Sequence, residues 1–216
     1  MLSNFTDIQE KLFDFIKKYH TNEIIRGSIL FVSFGLLYFF FTLFIEYFLW
    51  LKPGLRTLLF WAFVLVEFFL LLRFLILSSL KLLGFRGGLS EAQAAKIIGA
   101  HFAEVDDKLL NIIQLKNEKE PTELILASIE QKSGEIQLIP FKRAVNFNEN
   151  RKYLKYLIIP IIIAVFPFLT GNKNLFSGSF ERVVHHRQSY QPPAPFYFKL
   201  SNSDLQVIEG KKLELK

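Results

Sequence analysis

The sequence predicts a membrane α-helical protein. It reads as an N-terminal amphipathic helix, a transmembrane helical hairpin, a cytoplasmic helical insert, a third transmembrane helix and the start of an extracytoplasmic β-sandwich-like module. Three observations carry this. Gly27 to Leu51 and Thr57 to Leu80 are almost wholly apolar runs, each longer than the ~20 residues a helix needs to cross ~30 Å of hydrocarbon. Only Lys52-Pro53-Gly54-Leu55-Arg56 separates them, too short a link to carry the chain back across a bilayer, so the two helices run antiparallel. The apolar residues, including 25 Phe, are clustered rather than periodic, as expected for helices that face lipid.

Segment 1–26 is read as an amphipathic helix with a short exit linker. Phe5, Ile8, Leu12, Phe15 and Ile16 recur at three- and four-residue steps, opposite Asp7, Glu10, Lys11, Asp14 and Lys18. Thr6 and Gln9 have capping-box spacing, and His20 falls in the linker. The apolar run starts only at Gly27, is far longer than a signal-peptide core and has no small-residue cleavage site after it, so it stays as an anchor.

Segment 27–83 is the hairpin. Tyr47, Trp50 and Trp61 sit near its hinge, as an aromatic belt should. Lys11, Lys17, Lys18 and Arg26 precede the first crossing and Lys81 and Arg86 follow the second, whereas the hinge offers only Lys52 and Arg56. The bias puts the N-terminus inside.

Segment 84–152 is a soluble insert. Gly84, Gly87 and Gly88 end the second helix and Ser90-Glu91-Ala92-Gln93 is a capping box that opens the next. Ile98, Phe102, Val105, Leu109 and Ile112 make one stripe at helical spacing. A second helix starts at Pro121-Thr122, weakens around Ser133-Gly134 and is followed by the breaker Pro140. Lys81 to Lys155 interleaves twelve basic with ten acidic residues, a solvated surface rather than a nucleic-acid face, so the net charge of +6 implies no nucleic-acid partner.

Segment 153–170 is the third crossing, at the low edge of spanning length and containing Pro160 and Pro167. Lys142, Arg143, Arg151 and Lys152 before it, against Lys173, Arg182 and Arg187 after it, keep the same orientation and leave the C-terminus outside. Segment 171–216 is read as β-rich. Phe196 to Leu200, Leu205 to Ile208 and Leu213 to Leu215 resemble strands separated by turn residues. They are too few to close a sheet, so the expectation is the N-terminal portion of a longer protein, or strands that complete a partner's sheet.

Candidate functional residues are few. Glu67 lies near mid-bilayer, where an ionised acid is costly. Arg73, six residues on, is on another face and close enough to the interface to snorkel. Glu67 is expected either to be a protonated acid bonded to Tyr38 or Thr42 of the first helix, to contact a partner helix, or to serve proton transfer. Glu46, nearer the hinge, is expected to reach water. The pair His185-His186, in an extended strand, would point to opposite faces and could not chelate one ion. His101 is read as an ordinary, partly buried side chain. The chain has no Cys, which removes disulfides and thiol chemistry. Gly84-Phe85-Arg86-Gly87-Gly88 lacks the strand and the Gly-Lys-Ser/Thr ending of a phosphate loop, and Gln191-Pro192-Pro193-Ala194-Pro195 reads as a stiff spacer. No catalytic set, cofactor motif or metal-ligand spacing is legible, so the expectation is a protein that is not an enzyme and holds no cofactor or metal.

Two stretches carry a resemblance. Leu89-Ser90-Glu91-Ala92 through His101-Phe102-Ala103-Glu104-Val105-Asp106-Asp107-Lys108-Leu109-Leu110-Asn111-Ile112-Ile113-Gln114-Leu115, together with Pro192-Pro193-Ala194-Pro195-Phe196-Tyr197-Phe198, resembles the N-terminal region of the uncharacterised bacterial envelope proteins of the domain-of-unknown-function 4175 family. The resemblance implies two early membrane helices, a cytoplasmic helical insert, a third membrane helix and a long extracytoplasmic part in a Gram-negative inner membrane. It implies no catalytic residues.

The expected function is an inner-membrane-anchored scaffold or interaction subunit of a bacterial envelope complex. Its expected partners are the lipid bilayer, other membrane or periplasmic proteins, or a second copy. The alternative is an accessory subunit of a transport or proton-motive-force-coupled complex, with Glu67 as its intramembrane acid.

Overall fold

The computed structural model describes residues 3–84, 87–118, 122–169, 171 and 174–192. They are mostly helical, and no strand occurs among them. Three helical stretches, Ser3–Leu49, Pro53–Leu82 and Phe141–Leu169, are long and apolar enough to cross a membrane, the signature of a membrane location.

Helix α1, Ser3–Leu49, is the axis of the molecule. Its 47 residues make a rod about 70 Å long. The break expected between an amphipathic helix and the first crossing does not occur, and His20 is not in a linker. The junction has no Pro, and tertiary contacts keep it helical. His20 is buried, with Nδ1 3.0 Å from Glu23 Oε2. The Leu89 amide donates to His20 Nε2 at 3.3 Å. The Asn150 side-chain amide donates to Asn22 Oδ1 at 2.6 Å.

The second limb runs antiparallel to α1. Helix α2, Pro53–Leu71, begins on Pro53 at a first-turn position where a missing N–H costs nothing. A π-turn over Leu72–Ile76 leads into α3, Leu77–Leu82. The limb spans 30 residues, about 45 Å, the thickness of a bilayer with its headgroup layers.

The insert packs around the free half of α1. Helix α4, Glu91–His101, opens on the expected capping box: Gln93 N donates to Ser90 Oγ, and Ser90 N donates to Gln93 Oε1. The stripe from Ile98 to Ile112 is not one helix. The chain turns after His101 with Asp106 at φ 35°, and α5 runs over Lys108–Lys116. Gly99 makes this turn possible, because a Cβ there would lie 2.3 Å from the Asp106 carbonyl oxygen. Helix α6, Glu123–Ile136, is capped by Thr122 and passes through Ser133 and Gly134 without weakening, since Ser133 is fully buried. Pro140 breaks the helical run, as expected, and 3-10 turns follow over Phe141–Ala144 and Phe147–Asn150.

Phe5, Ile8, Leu12 and Phe15 of α1 meet Ala94, Ala95, Ile98, Val105, Leu109, Ile112, Ile129, Ile136 and Phe141 in one core. Full burial of such aliphatic and aromatic side chains contributes about 1.5–3 kcal/mol each. Glu130 of α6 anchors the tip of α1, accepting from the Asn4 amide at 2.9 Å and the Phe5 amide at 3.2 Å. It caps from another helix the donors that α1 cannot satisfy itself.

Helix α7, Arg151–Leu169, belongs to the third stretch long and apolar enough to cross a membrane and holds Pro160 and Pro167. It packs on α1, and its backbone stands clear of that of α2. The chain then departs from the expected β-rich character. Residues Asn174–Val184 form α8, an amphipathic helix against α1 and α2 at the hinge end. Its apolar face, with Phe176 and Val183, finds a ready surface on Phe39, Phe40 and Phe44 of α1. The strand-like runs from Phe196 onward lie outside the described residues.

Candidate functional site

The α1–α2 hairpin has a simple register. Across an antiparallel hairpin centred on residue 51, level residues are those whose numbers average about 51. Glu67 is thereby level with Gly35, Arg56 with Glu46, and Phe74 with Gly27. All three pairs meet in the structure.

Glu67 stands about 20 Å along α2 from the hinge and presses its carboxylate on Gly35. A Cβ at Gly35 would lie 2.9 Å from Glu67 Oε2. Glu67 Oε1 is buried and has no hydrogen-bond partner among the described residues. The carboxylate closes a groove of about 280 Å³ whose other walls are apolar, among them Phe31, Phe39 and Phe63.

The expected partners of Glu67 do not reach it. Thr42 Oγ1 donates to the Tyr38 carbonyl at 3.0 Å, and the Tyr38 ring stacks on Phe63 with centroids 6.0 Å apart. The register explains the first, because Thr42 is level with residue 60, about two turns from Glu67, while the stack on Phe63 holds the Tyr38 ring away. Tyr38 instead lines a second groove of about 550 Å³, walled by Phe40, Phe41, Phe44, Val66 and Ile163, which separates α2 from α7. Arg73 lies in the π-turn, exposed, and makes no ion pair among the described residues. The same turn brings the Phe74 carbonyl oxygen to 2.1 Å from where a Gly27 Cβ would stand.

The hinge end holds a charge cluster that sequence reasoning missed. Glu46 does not reach water and is fully buried, as is Arg56. Its Oε1 accepts from Arg56 Nε at 3.0 Å and from Arg182 Nε of α8 at 3.1 Å. Arg56 also donates to the Leu51 carbonyl at 2.6 Å and the Gln188 carbonyl at 2.7 Å. The Arg182 guanidinium lies 4.0 Å from the Trp50 ring centroid. Trp50 adopts φ 43°, a left-handed conformation that costs a non-glycine residue about 1–2 kcal/mol. Cation–π contact with a largely desolvated guanidinium is of similar size and offsets that strain. The arrangement binds the end of α1, the start of α2 and α8 into one unit.

The histidines separate in a different way from the one expected, because they follow a helix rather than occupy a strand. His186 stacks on Phe60 at 4.5 Å and its Nδ1 lies 2.9 Å from Thr57 Oγ1. His185 is exposed, with Nδ1 beside the Glu181 carbonyl. His101 is exposed rather than partly buried. Among the described residues no group of three or more His, Asp or Glu could hold a metal ion. No protein-family model, curated protein or solved structure matches the chain.

Proposed function

We propose that the chain is a membrane-anchored scaffold or interaction subunit of a bacterial envelope complex, with the insert in the cytoplasm and α8 on the periplasmic side of the inner membrane. The observation that supports it best is the continuity of α1. One helix carries Phe5 to Phe15 in the insert core and Glu46 in the hinge-end cluster. A rigid rod anchored at both ends holds docking surfaces on two sides of a bilayer at fixed separation. Leu124 and Leu138 of the insert are 80% and 95% exposed, as a contact with another protein or a second copy would require. The basic residues around both ends of the hairpin favour the stated orientation. The resemblance to the domain-of-unknown-function 4175 family favours the compartment.

Affinity purification in mild detergent with mass spectrometry tests this reading. A reproducible partner set, or a dimer by light scattering, is expected. Recovery of the protein alone, as a monomer, counts against it. The natural absence of Cys makes orientation testable with single cysteines. A cysteine at Asn117 should be shielded from an impermeant maleimide in intact spheroplasts, and one at Ser189 should be labelled.

A second reading, an accessory subunit of a transport or proton-motive-force-coupled complex, is favoured by the unpartnered oxygen of Glu67. Glu67→Gln separates the two. Loss of coupled transport with assembly intact favours the second reading, and loss of a co-purifying partner favours the first.

A further inference from the structure

The backbones of α2 and α7 stand clear of each other on the flanks of α1, and the groove of about 550 Å³ lies between them. Its floor is α1 from Phe34 to Phe44, a length of about 15 Å. Val66 and Leu70 form one wall and Ile163 of α7 the other. Spread over that length, the volume gives a mean section of about 37 Å², under half that of a helix ~10 Å across. The groove has room for an acyl chain and not for a helix.

The Phe34 ring marks the end of the groove away from the hinge. It lies 6.2 Å from the Phe74 ring of the second limb and 6.0 Å from the Tyr156 ring of α7, so both walls reach this level together. Arg73 precedes Phe74 and projects from the face of Leu70 and Val66, three and seven residues away. Across the groove, Tyr156 shares the face of Ile163, and Lys155 Nζ lies 5.2 Å from the Tyr156 ring. Arg73 and Lys155 are exposed, and neither makes an ion pair among the described residues. The acid on the nearby part of α1, Glu23, is already shared by Arg26, Lys81 and His20.

Depth sorts the two kinds of surface. Arg73 lies about 30 Å along the second limb from Pro53, the thickness of the hydrocarbon core, and its long side chain reaches the headgroups from there. Each wall lies nearer the hinge than its cation: Leu70 and Val66 relative to Arg73, and Ile163 relative to Lys155. Cations at headgroup depth above an apolar groove follow the order of a phospholipid's own parts.

We infer that this groove binds an anionic phospholipid, its phosphate between Arg73 and Lys155 and one acyl chain along α1 between Val66 and Ile163. The inference rests on the membrane location and is independent of the orientation and of the proposed scaffold role. A soluble phosphate shares the head chemistry but leaves the apolar groove unfilled. A second copy would bring a helix, for which the section is too small.

The test uses the full chain in nanodiscs of phosphatidylcholine with a minority of phosphatidylglycerol. Native mass spectrometry after release into detergent reads the lipid retained on the protein. Wild-type protein is expected to retain phosphatidylglycerol preferentially. Arg73→Gln and Lys155→Gln should each reduce that preference about fivefold, and the double variant about 30-fold. Both remove exposed, unpaired charges, and circular dichroism verifies the fold. Lys52→Gln, an exposed charge at the hinge, should leave the preference unchanged. Val66→Phe fills the groove at constant charge and should strip retained lipid of either class. An unchanged preference in the double variant, an equal loss in Lys52→Gln, or full retention in Val66→Phe overturns the site. If Val66→Phe instead splits a dimer and lipid retention holds, the groove belongs to a second copy and the lipid assignment is wrong. It is also wrong if inorganic phosphate binds the detergent-purified protein with the same Arg73 and Lys155 dependence while phosphatidylglycerol shows no enrichment.

Discussion

The Phe74 carbonyl oxygen stands 2.1 Å from the point a Gly27 Cβ would occupy, so α1 and the π-turn meet backbone to backbone. No side chain fits between them. The π-turn, with Leu77 N donating to Leu72 O, bends the second limb into α1 at this level. Gly27→Val must push the limbs apart, and overpacking of this kind costs about 1–3 kcal/mol or more. The expected result is a lower midpoint for thermal aggregation in detergent. Gly54→Val, where a Cβ would meet nothing within 4 Å, serves as the control. Equal behaviour of the two would sink the argument.

Glu46 carries the hinge-end cluster. Glu46→Ala leaves Arg56 and Arg182 buried against each other without a counter-charge, a loss of about 3–5 kcal/mol. Helix α8 should then detach from the hairpin. Limited trypsin digestion is expected to cut after Arg182 in the variant and to spare that bond in the wild type. Protection that survives in Glu46→Ala would mean that the apolar face of α8 holds it alone.

Acid should loosen the grip of the insert on α1. Glu130 sits below the ordinary glutamate range, chiefly because of the hydrogen bond from the Asn4 amide, with Phe5 and Ser3 adding to it. Asp7 is lowered by its hydrogen bond with Lys11, and Glu135 by that with Lys108. A lowered folded-state value means that the unfolded chain binds more protons in acid. The contribution is therefore whole above the unfolded values and is lost as pH falls through the folded ones. Hydrogen exchange at the Asn4 and Phe5 amides should accelerate as pH drops below about 4.5, beyond the intrinsic trend of exchange rates. Glu130→Gln should show fast exchange at neutral pH and a flatter acid response. An acid response in that variant equal to wild type contradicts the cap.

Gly35 and Glu67 form one device. Gly35→Ala should expel the carboxylate from its place on α1, where Oε2 would meet the new Cβ at 2.9 Å. Glu67→Leu removes an oxygen that has no partner within the described chain, and relief of such a group is worth about 1–3 kcal/mol. The isolated protein is therefore expected to gain thermal stability in detergent. A clear loss of stability in Glu67→Leu would show that the carboxyl is already satisfied within the monomer.

Much of the architecture was legible because it depends on local chemistry. The apolar runs, the Ser90–Gln93 box and the Pro140 break each follow from residues close in sequence, whereas α2 starts at Pro53, inside the stretch read as the link. The continuity of α1 through Thr21–Gly27 was not legible, since it rests on contacts of Asn22 with Asn150 and of His20 with Leu89. Nor was the turn inside the Ile98–Ile112 stripe, where an unbroken apolar period hides a backbone reversal at Asp106. Counting outward from residue 51 sets Glu67 against Gly35 and Glu46 beside Arg56, and it leaves Thr42 about two helical turns from Glu67.

The sequence by itself determined the solvent of each segment, because transfer of some twenty apolar side chains into hydrocarbon outweighs any local preference. It also determined the hinge, whose length leaves the chain no route but back along α1. Only the tertiary structure decided what the polar residues do within that frame. Arg182 reaches Glu46 across 136 positions of sequence, and no periodicity records that meeting. The position of a side chain relative to lipid is set by composition, whereas its partner is set by register, by close approach at glycine and by a helix arriving from the far end of the chain.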